Sequence, residues 1–125
     1  MAKFGLMAAA LAVGMMVSGG SAMAAGDAAK GKKVYRKCSA CHSVKPGKKG
    51  LGPSLFGVVG RKAGTTKGFR FSTAMKKSGL TWDEATLDKY LKKPRKLVKG
   101  TRMAFSGLKK NKDRDNVIAY LKTLK

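Results

Sequence analysis

The chain has 125 residues and carries 28 Lys and Arg against 6 Asp and Glu, a formal net charge of +22. This length suits one small domain with a marginal core. So strong a positive charge attracts acidic partners over distance, and nucleic acid is the first such partner to consider. No nucleic-acid-binding motif and no basic stretch interleaved with aromatic residues is present, which argues against that class.

The first 24 residues have the pattern of a cleaved secretory signal peptide. Lys3 gives a positive start, Phe4 to Val17 form an apolar run, and Ala22-Met23-Ala24 is a cleavage signal of the A-x-A type. The run is shorter than the ~20 residues that span a bilayer, so an uncleaved anchor is the weaker alternative. Residues 25–125 would then form one exported domain, in a compartment where proteins rarely meet nucleic acid.

The first half of that domain is predicted to hold helices separated by a long loop region. Asp27 is placed to cap a helix over residues 28–37, which ends in Lys and Arg. From Ser43 to Gly68 the density of Gly and Pro indicates turns rather than long elements. A short helix is predicted over residues 72–77.

The second half is predicted to hold two longer helices joined by a basic loop. Thr81-Trp82-Asp83-Glu84 has the pattern of a capping box, with Thr81 as the cap of a helix that continues to Lys92 and ends before Pro94. Residues 94–110 are predicted to be a loop. The last helix is expected over residues 112–123, since apolar side chains recur there at helical spacing. The expected fold class is therefore all-α with long loops.

Cys38-Ser39-Ala40-Cys41-His42 contains both cysteines and the single histidine of the chain. A Cys-x-x-Cys-His pentad is typical of covalent attachment of a c-type haem, with the histidine as an iron ligand. A zinc site is disfavoured because structural zinc usually needs four Cys or His ligands. A redox disulfide of the thioredoxin type would lie in a βαβ context, and no alternating strand-like run flanks the pentad.

A second axial ligand for the iron must come from another residue type, because the chain has no second histidine. Outside the signal, methionine occurs at Met75 and Met103. A methionine is more often a core residue than a ligand. Met103, however, lies in the predicted loop, where its side chain can reach across a cavity, whereas Met75 lies on a predicted helix. His/Met ligation raises the reduction potential and leaves no iron position for substrate, which favours electron transfer over catalysis.

The chain resembles class I cytochrome c of the small soluble type, which includes the mitochondrial protein and bacterial periplasmic relatives. The resemblance covers essentially all of residues 25–125. Besides the pentad, it is carried by these segments in the family's order: Gly26-Asp27, Lys30-Gly31-Lys32-Lys33-Val34-Tyr35, Gly52-Pro53-Ser54-Leu55, Gly60-Arg61-Lys62, Thr81-Trp82, Tyr90-Leu91, Pro94, Gly100-Thr101-Arg102-Met103-Ala104-Phe105, Asp113-Arg114 and Val117-Ile118-Ala119-Tyr120-Leu121.

The resemblance implies a haem c bound covalently through Cys38 and Cys41, with His42 and Met103 as axial ligands. It also implies that the Pro53 carbonyl accepts a hydrogen bond from the ring N–H of His42 and so orients the imidazole.

Four further residues acquire roles by the same resemblance. Tyr90 would lie beside the Met103 sulfur, and Arg61, Trp82 and Thr101 would hold the haem propionates. Core packing is the alternative for Trp82, and a solvated surface charge is the alternative for Arg61. Phe71 stands where mitochondrial members usually have a tyrosine bonded to a propionate, so that contact is expected to be lost or replaced.

The resemblance implies a cytochrome c fold, with crossing N- and C-terminal helices and long loops around one haem, and a function that is not enzymatic. The protein would carry single electrons in the periplasm, as a monomer, from a quinol-oxidising cytochrome complex to a terminal oxidase or photosynthetic reaction centre. A haem peroxidase or gas-binding protein with an open iron position is the alternative, as is a basic module without redox use. Docking to acidic faces of membrane complexes is assigned to a ring of basic residues: Lys37, Lys48, Lys49, Arg95, Lys96, Arg102, Lys109 and Lys110.

Overall fold

The computed structural model describes Gly14 and residues 26–125. The predicted signal peptide lies outside the described residues, apart from Gly14. Within them the chain forms helices joined by long irregular segments: α1 (Ala28–Val34), a 3-10 helix (Tyr35–Lys37), α2 (Thr73–Lys77), α3 (Glu84–Lys92), α4 (Pro94–Leu97) and α5 (Asn111–Lys122). The β pairing in this part of the chain is one isolated antiparallel bridge between Lys62 and Thr81. The all-α prediction is confirmed.

The structure corrects three local predictions. The first helix changes to 3-10 geometry at Tyr35 instead of continuing as one α-helix to Lys37. The cap of α3 is Asp83, whose carboxylate accepts a hydrogen bond from Thr86 N at 2.8 Å, because Thr81 is held in the bridge to Lys62. The segment predicted as a loop from Pro94 begins with the short helix α4, since proline is well tolerated in a first helical turn.

Helices α1 and α5 cross in close contact. Gly31 is buried at the crossing, and a Cβ there would lie 2.8 Å from Tyr120 Cβ. The N-terminus of α1 is tied to α5 by a 2.8 Å hydrogen bond from Asp27 N to Asn116 Oδ1. Asp27 also caps α1 as predicted, accepting from Lys30 N at 3.1 Å. The crossing needs a glycine because any side chain would separate the two backbones.

The core lies on both sides of this helix crossing. One cluster joins α2, α3 and α5 to the loops before them and includes Trp82, Tyr90 and Ile118. The other joins Tyr35, Leu108 and Val117. Most of the first cluster also borders a cavity, so the core surrounds a space instead of filling it. In the part of the chain that the structure describes, no helix has the length and apolar content needed to cross a membrane.

Candidate functional site

The cysteine pentad forms a tight turn directly after the 3-10 helix. Cys41 N and His42 N both donate to Cys38 O, at 3.1 and 3.0 Å. Residues three apart in such a turn lie on the same side, so both thiols and the imidazole border one cavity. Tyr35 fixes the turn, because its hydroxyl donates to His42 O at 2.7 Å. Burial raises the pKa of Tyr35 to about 12, so this hydroxyl keeps its proton at neutral pH.

His42 is held as a neutral imidazole with one nitrogen free. Its Nδ1 lies 2.7 Å from Pro53 O, and because a carbonyl only accepts, Nδ1 carries the proton. Burial lowers the pKa of His42, and the Pro53 bond partly offsets this effect. Nε2 is therefore unprotonated, which is the state a metal ligand requires. Gly52 makes room for the ring, since a Cβ there would lie only 2.7 Å from Nδ1.

The cavity has a volume of about 480 Å³, within the usual range of ~300–1,000 Å³ for ligand sites. Its lining is mostly apolar, with a small number of polar and charged side chains. All nine residues predicted for the site border it: Cys38, Cys41, His42, Pro53, Arg61, Trp82, Tyr90, Thr101 and Met103. The structure thus brings together residues that span most of the domain sequence.

Met103 lies in the irregular segment between α4 and α5, residues 98–110, which we call the methionine segment. It is partly buried and packs against the core cluster that contains Trp82 and Tyr90. Thr101 fixes the segment before it: Thr101 Oγ1 lies 2.8 Å from the Tyr90 hydroxyl and accepts from Met103 N at 3.4 Å. Met75 also borders the cavity, but it is 7% exposed and lies on α2 within the core.

Arg61 and Trp82 are neighbours because their backbones pair. Trp82 N donates to Arg61 O at 2.9 Å, next to the Lys62–Thr81 bridge. The Arg61 guanidinium donates to Phe56 O at 3.0 Å and to Ser54 O at 3.1 Å, and burial lowers its pKa. Within the described residues the Trp82 indole N–H has no hydrogen-bond partner, although the ring is 8% exposed and borders the cavity.

Some residues of the site were not predicted from the sequence. Tyr35 has no predicted role in the site, and its spacing from His42 gives no signal for a hydrogen bond to the His42 carbonyl. Arg70 and Ser72 border the cavity on either side of Phe71. The sequence holds one signal for them. Position 71 lacks the tyrosine hydroxyl that mitochondrial members usually have, so another polar side chain could be expected nearby to replace it. The Phe71 ring instead packs edge-on against Phe69, with 4.9 Å between ring centroids.

The donor set and the cavity suit a haem c. Two thiols, a neutral imidazole and a methionine all border the same mostly apolar cavity. The uncommitted indole N–H offers a donor for a carboxylate. In the described part of the chain, no group of three or more His, Cys, Asp or Glu side chains is arranged to hold a metal ion by itself.

Comparisons with known proteins show which family the chain belongs to. The family described as Cytochrome c matches residues 28–125. Cytochrome c2 of Rhodomicrobium vannielii is 56% identical over 109 residues, 86% of this chain and 87% of the relative. Cytochrome c-554 of Methylosinus trichosporium is 42% identical over 122 residues, 97% of this chain and 92% of the relative.

A solved structure shows the same fold. Cytochrome cH from Methylobacterium extorquens superimposes with a TM-score of 0.75 at 54% sequence identity, over 78% of this chain and 99% of that one. The family profile and the identities together establish the relationship. The chain belongs to the cytochrome c family, as a small class I member that transfers electrons, is not an enzyme, and carries one haem c bound covalently through Cys38 and Cys41.

Proposed function

We propose that this protein is a soluble periplasmic carrier of single electrons, in which His42 and Met103 are the two axial ligands of the haem iron. The observation that carries the ligation is the state of His42. Its Nδ1 proton is committed to Pro53 O at 2.7 Å, which leaves Nε2 free beside a cavity that Met103 also borders. When bound, the haem supplies a one-electron Fe(II)/Fe(III) couple.

The chain's own residues would tune and protect that couple. The Pro53 bond orients the imidazole and strengthens it as a donor, while the soft thioether of Met103 favours the reduced iron and raises the potential. Apolar cavity walls exclude water. Arg61, Trp82 and Thr101 would offer donors to the buried propionates, whose charge needs compensation. With both axial positions filled, no substrate could bind the iron.

Replacing each methionine with alanine tests the ligation. Met103→Ala should abolish the weak long-wavelength band of the Met–Fe(III) bond, remove low-spin character and lower the reduction potential. Met75→Ala is the matched control, since it removes the other methionine of the cavity and should keep the band. Visible spectra and a redox titration of the haem-loaded protein measure both effects. An unchanged band in Met103→Ala would exclude Met103 and indicate Met75 as the ligand. A parent protein that lacks the band would favour the peroxidase or gas-binding alternative.

The second part of the proposal concerns cellular location and partners. We propose that residues 1–24 are a cleaved signal peptide and that residues 25–125 act as a monomer in the periplasm. The protein would accept electrons from a quinol-oxidising cytochrome complex and donate them to a terminal oxidase or photosynthetic reaction centre. The N-terminal sequence of protein recovered from the periplasm tests the cleavage, which should leave Ala25 as the first residue.

The proposed docking surface is the ring of eight basic residues named from the sequence. All eight are exposed, and Lys37 and Arg102 border the mouth of the cavity. Lys49 also donates to Gly68 O at 3.1 Å, so its ammonium is partly committed to the protein itself. Such a ring would steer an acidic partner toward the haem edge and raise the association rate without tight burial.

A further inference from the structure

Arg114 is a buried cation at the start of α5, 2% exposed. Its Nη1 donates to Leu108 O at 2.7 Å and to Lys109 O at 3.0 Å. These two carbonyls belong to the C-terminal end of the methionine segment. Its Nε donates to Asp88 Oδ1 of α3 at 2.7 Å, and Nη2 donates to Asn111 Oδ1. Four of the five guanidinium donors are therefore in use, two of them on the segment that carries Met103.

We propose that Asp88 and Arg114 are positioning residues for the methionine ligand, and that their ion pair controls how often Met103 leaves the iron. The inference rests on the proposed ligation by Met103. It adds a function for a charge pair that does not border the cavity and is not part of the proposed docking ring. Asp88 and Arg114 do not border the cavity, so any effect on the ligand must pass through the segment.

The methionine segment has no regular structure from Thr101 to Lys110, and contacts on either side of Met103 hold it in place. On the N-terminal side, Thr101 is bonded to the Tyr90 hydroxyl. On the C-terminal side, Leu108 N donates to Leu91 O at 2.7 Å, and Arg114 holds the two carbonyls. Among the described residues, no backbone–backbone hydrogen bond is made by residues 104–106. These two sets of contacts, together with the packing of Met103 and Phe105 against the core clusters, therefore hold the methionine in place.

Helix α3 contributes to both sets. Asp88, Tyr90 and Leu91 lie in its C-terminal half, and Arg114 comes from α5. A buried guanidinium must be paired with an anion to remain in its geometry. Without Asp88 the charge of Arg114 would be uncompensated, and the arginine would be drawn toward solvent, away from the two carbonyls. The C-terminal hold on the segment would then loosen while the Tyr90–Thr101 contact remained.

The chain offers two controls for this mechanism. Glu84 and Lys122 form a second ion pair between α3 and α5, but neither residue bonds to the methionine segment. Ile118 lies in α5, is 4% exposed and packs in the core. Glu84→Gln therefore removes a link between the same helices, and Ile118→Val lowers stability through packing alone.

The test measures opening at the iron separately from unfolding. In the ferric, haem-loaded protein, imidazole competes with Met103, so its apparent affinity rises in proportion to the fraction of molecules in which the methionine is detached. Asp88→Ala and Arg114→Gln should bind imidazole about tenfold more tightly than the parent protein, and Asp88→Asn about threefold. Glu84→Gln and Ile118→Val should change the apparent imidazole affinity by less than about twofold.

Denaturant unfolding followed by far-UV circular dichroism gives the global stability of each variant. The proposal is overturned if Asp88→Ala binds imidazole no more tightly than Ile118→Val. Should Arg114→Gln fail to fold, the two Asp88 variants decide the question, because the Asp88 side chain is 30% exposed. A parent protein without the Met–Fe(III) band would instead show that the proposed ligation is wrong, which separates the two failures.

Discussion

Two tyrosine rings in contact carry hydroxyl groups with different surroundings. Tyr35 and Tyr120 lie with ring centroids 5.3 Å apart at the helix crossing. The Tyr35 hydroxyl donates to His42 O, directly behind the proposed iron ligand. The Tyr120 hydroxyl has no partner in the described residues. The Tyr35 hydroxyl therefore adds a side-chain hydrogen bond between the 3-10 helix and the pentad, and Tyr35 does not border the cavity.

This difference gives a prediction for a single hydroxyl group. Tyr35→Phe should lower the free energy of unfolding by about 1–3 kcal/mol, because it leaves the His42 carbonyl without its partner. Tyr120→Phe removes a hydroxyl from the same aromatic pair and should change stability by less than about 0.5 kcal/mol. Denaturant titrations of both haem-loaded variants measure the effect, and equal losses would show that ring packing matters and the hydrogen bond does not.

At the scale of elements, the crossing of α1 and α5 fixes the relation between the two chain ends of the domain. The backbones meet at Gly31, where a Cβ would contact the Asn116 carbonyl and Tyr120 Cβ. Val117 is 1% exposed beneath the crossing. This contact holds the 3-10 helix and the pentad against the same helix that carries Arg114. The crossing therefore links the cysteine side of the cavity to the methionine side.

Gly31→Ala tests how tightly the two helices pack. In an isolated helix this change is favourable by about 1 kcal/mol, but here the added methyl group would force the backbones apart. Overpacking of this kind typically costs about 1–3 kcal/mol, so we expect net destabilisation. Lys32→Ala on the exposed surface of α1 should change stability by less than about 0.5 kcal/mol. Thermal unfolding followed by circular dichroism checks both, and a stabilised Gly31→Ala would contradict the close crossing.

Whole-molecule charge bears on the proposed docking. Because steering acts through long-range attraction, it is screened over ~8 Å at physiological ionic strength. A variant with Lys48, Lys109 and Lys110 changed to Gln should associate with an acidic redox partner about tenfold more slowly at low salt and depend less on salt. A matched triple change at Lys32, Lys62 and Lys76, outside the proposed ring, is the control. Stopped-flow rates that do not depend on ionic strength would contradict docking by charge.

The cavity is the second feature of the whole molecule, because the core is built around it. The lining of this 480 Å³ space is mostly apolar, and contact between apolar surface and water is unfavourable. A domain of this size has a marginal core, with a total stability of about 5–15 kcal/mol. We therefore expect the haem to contribute to the fold as well as to the function.

The haem-free chain should accordingly fail to fold. We expect far-UV circular dichroism of apoprotein made without haem-attachment enzymes to lack most of the helix signal. The same chain with haem attached should show the helices described above. Native-like helix content and a cooperative transition in the apoprotein would contradict this expectation.

The sequence by itself determined the chemistry and most of the secondary structure. A pentad that holds both cysteines and the single histidine predicts haem attachment, since the chain has no further Cys or His to complete a zinc site. Periodicity and capping residues place the main helices within a few residues. Tertiary pairing decided the rest. Asp83 rather than Thr81 caps α3 because Thr81 is paired with Lys62, a contact between distant residues that local capping rules do not contain. Likewise, Arg114 belongs to a segment that carries the family resemblance, but the sequence gives no contact or role for its side chain. Its burial against Asp88 and the methionine segment depends on the fold, because Asp88 lies 26 positions away in the sequence.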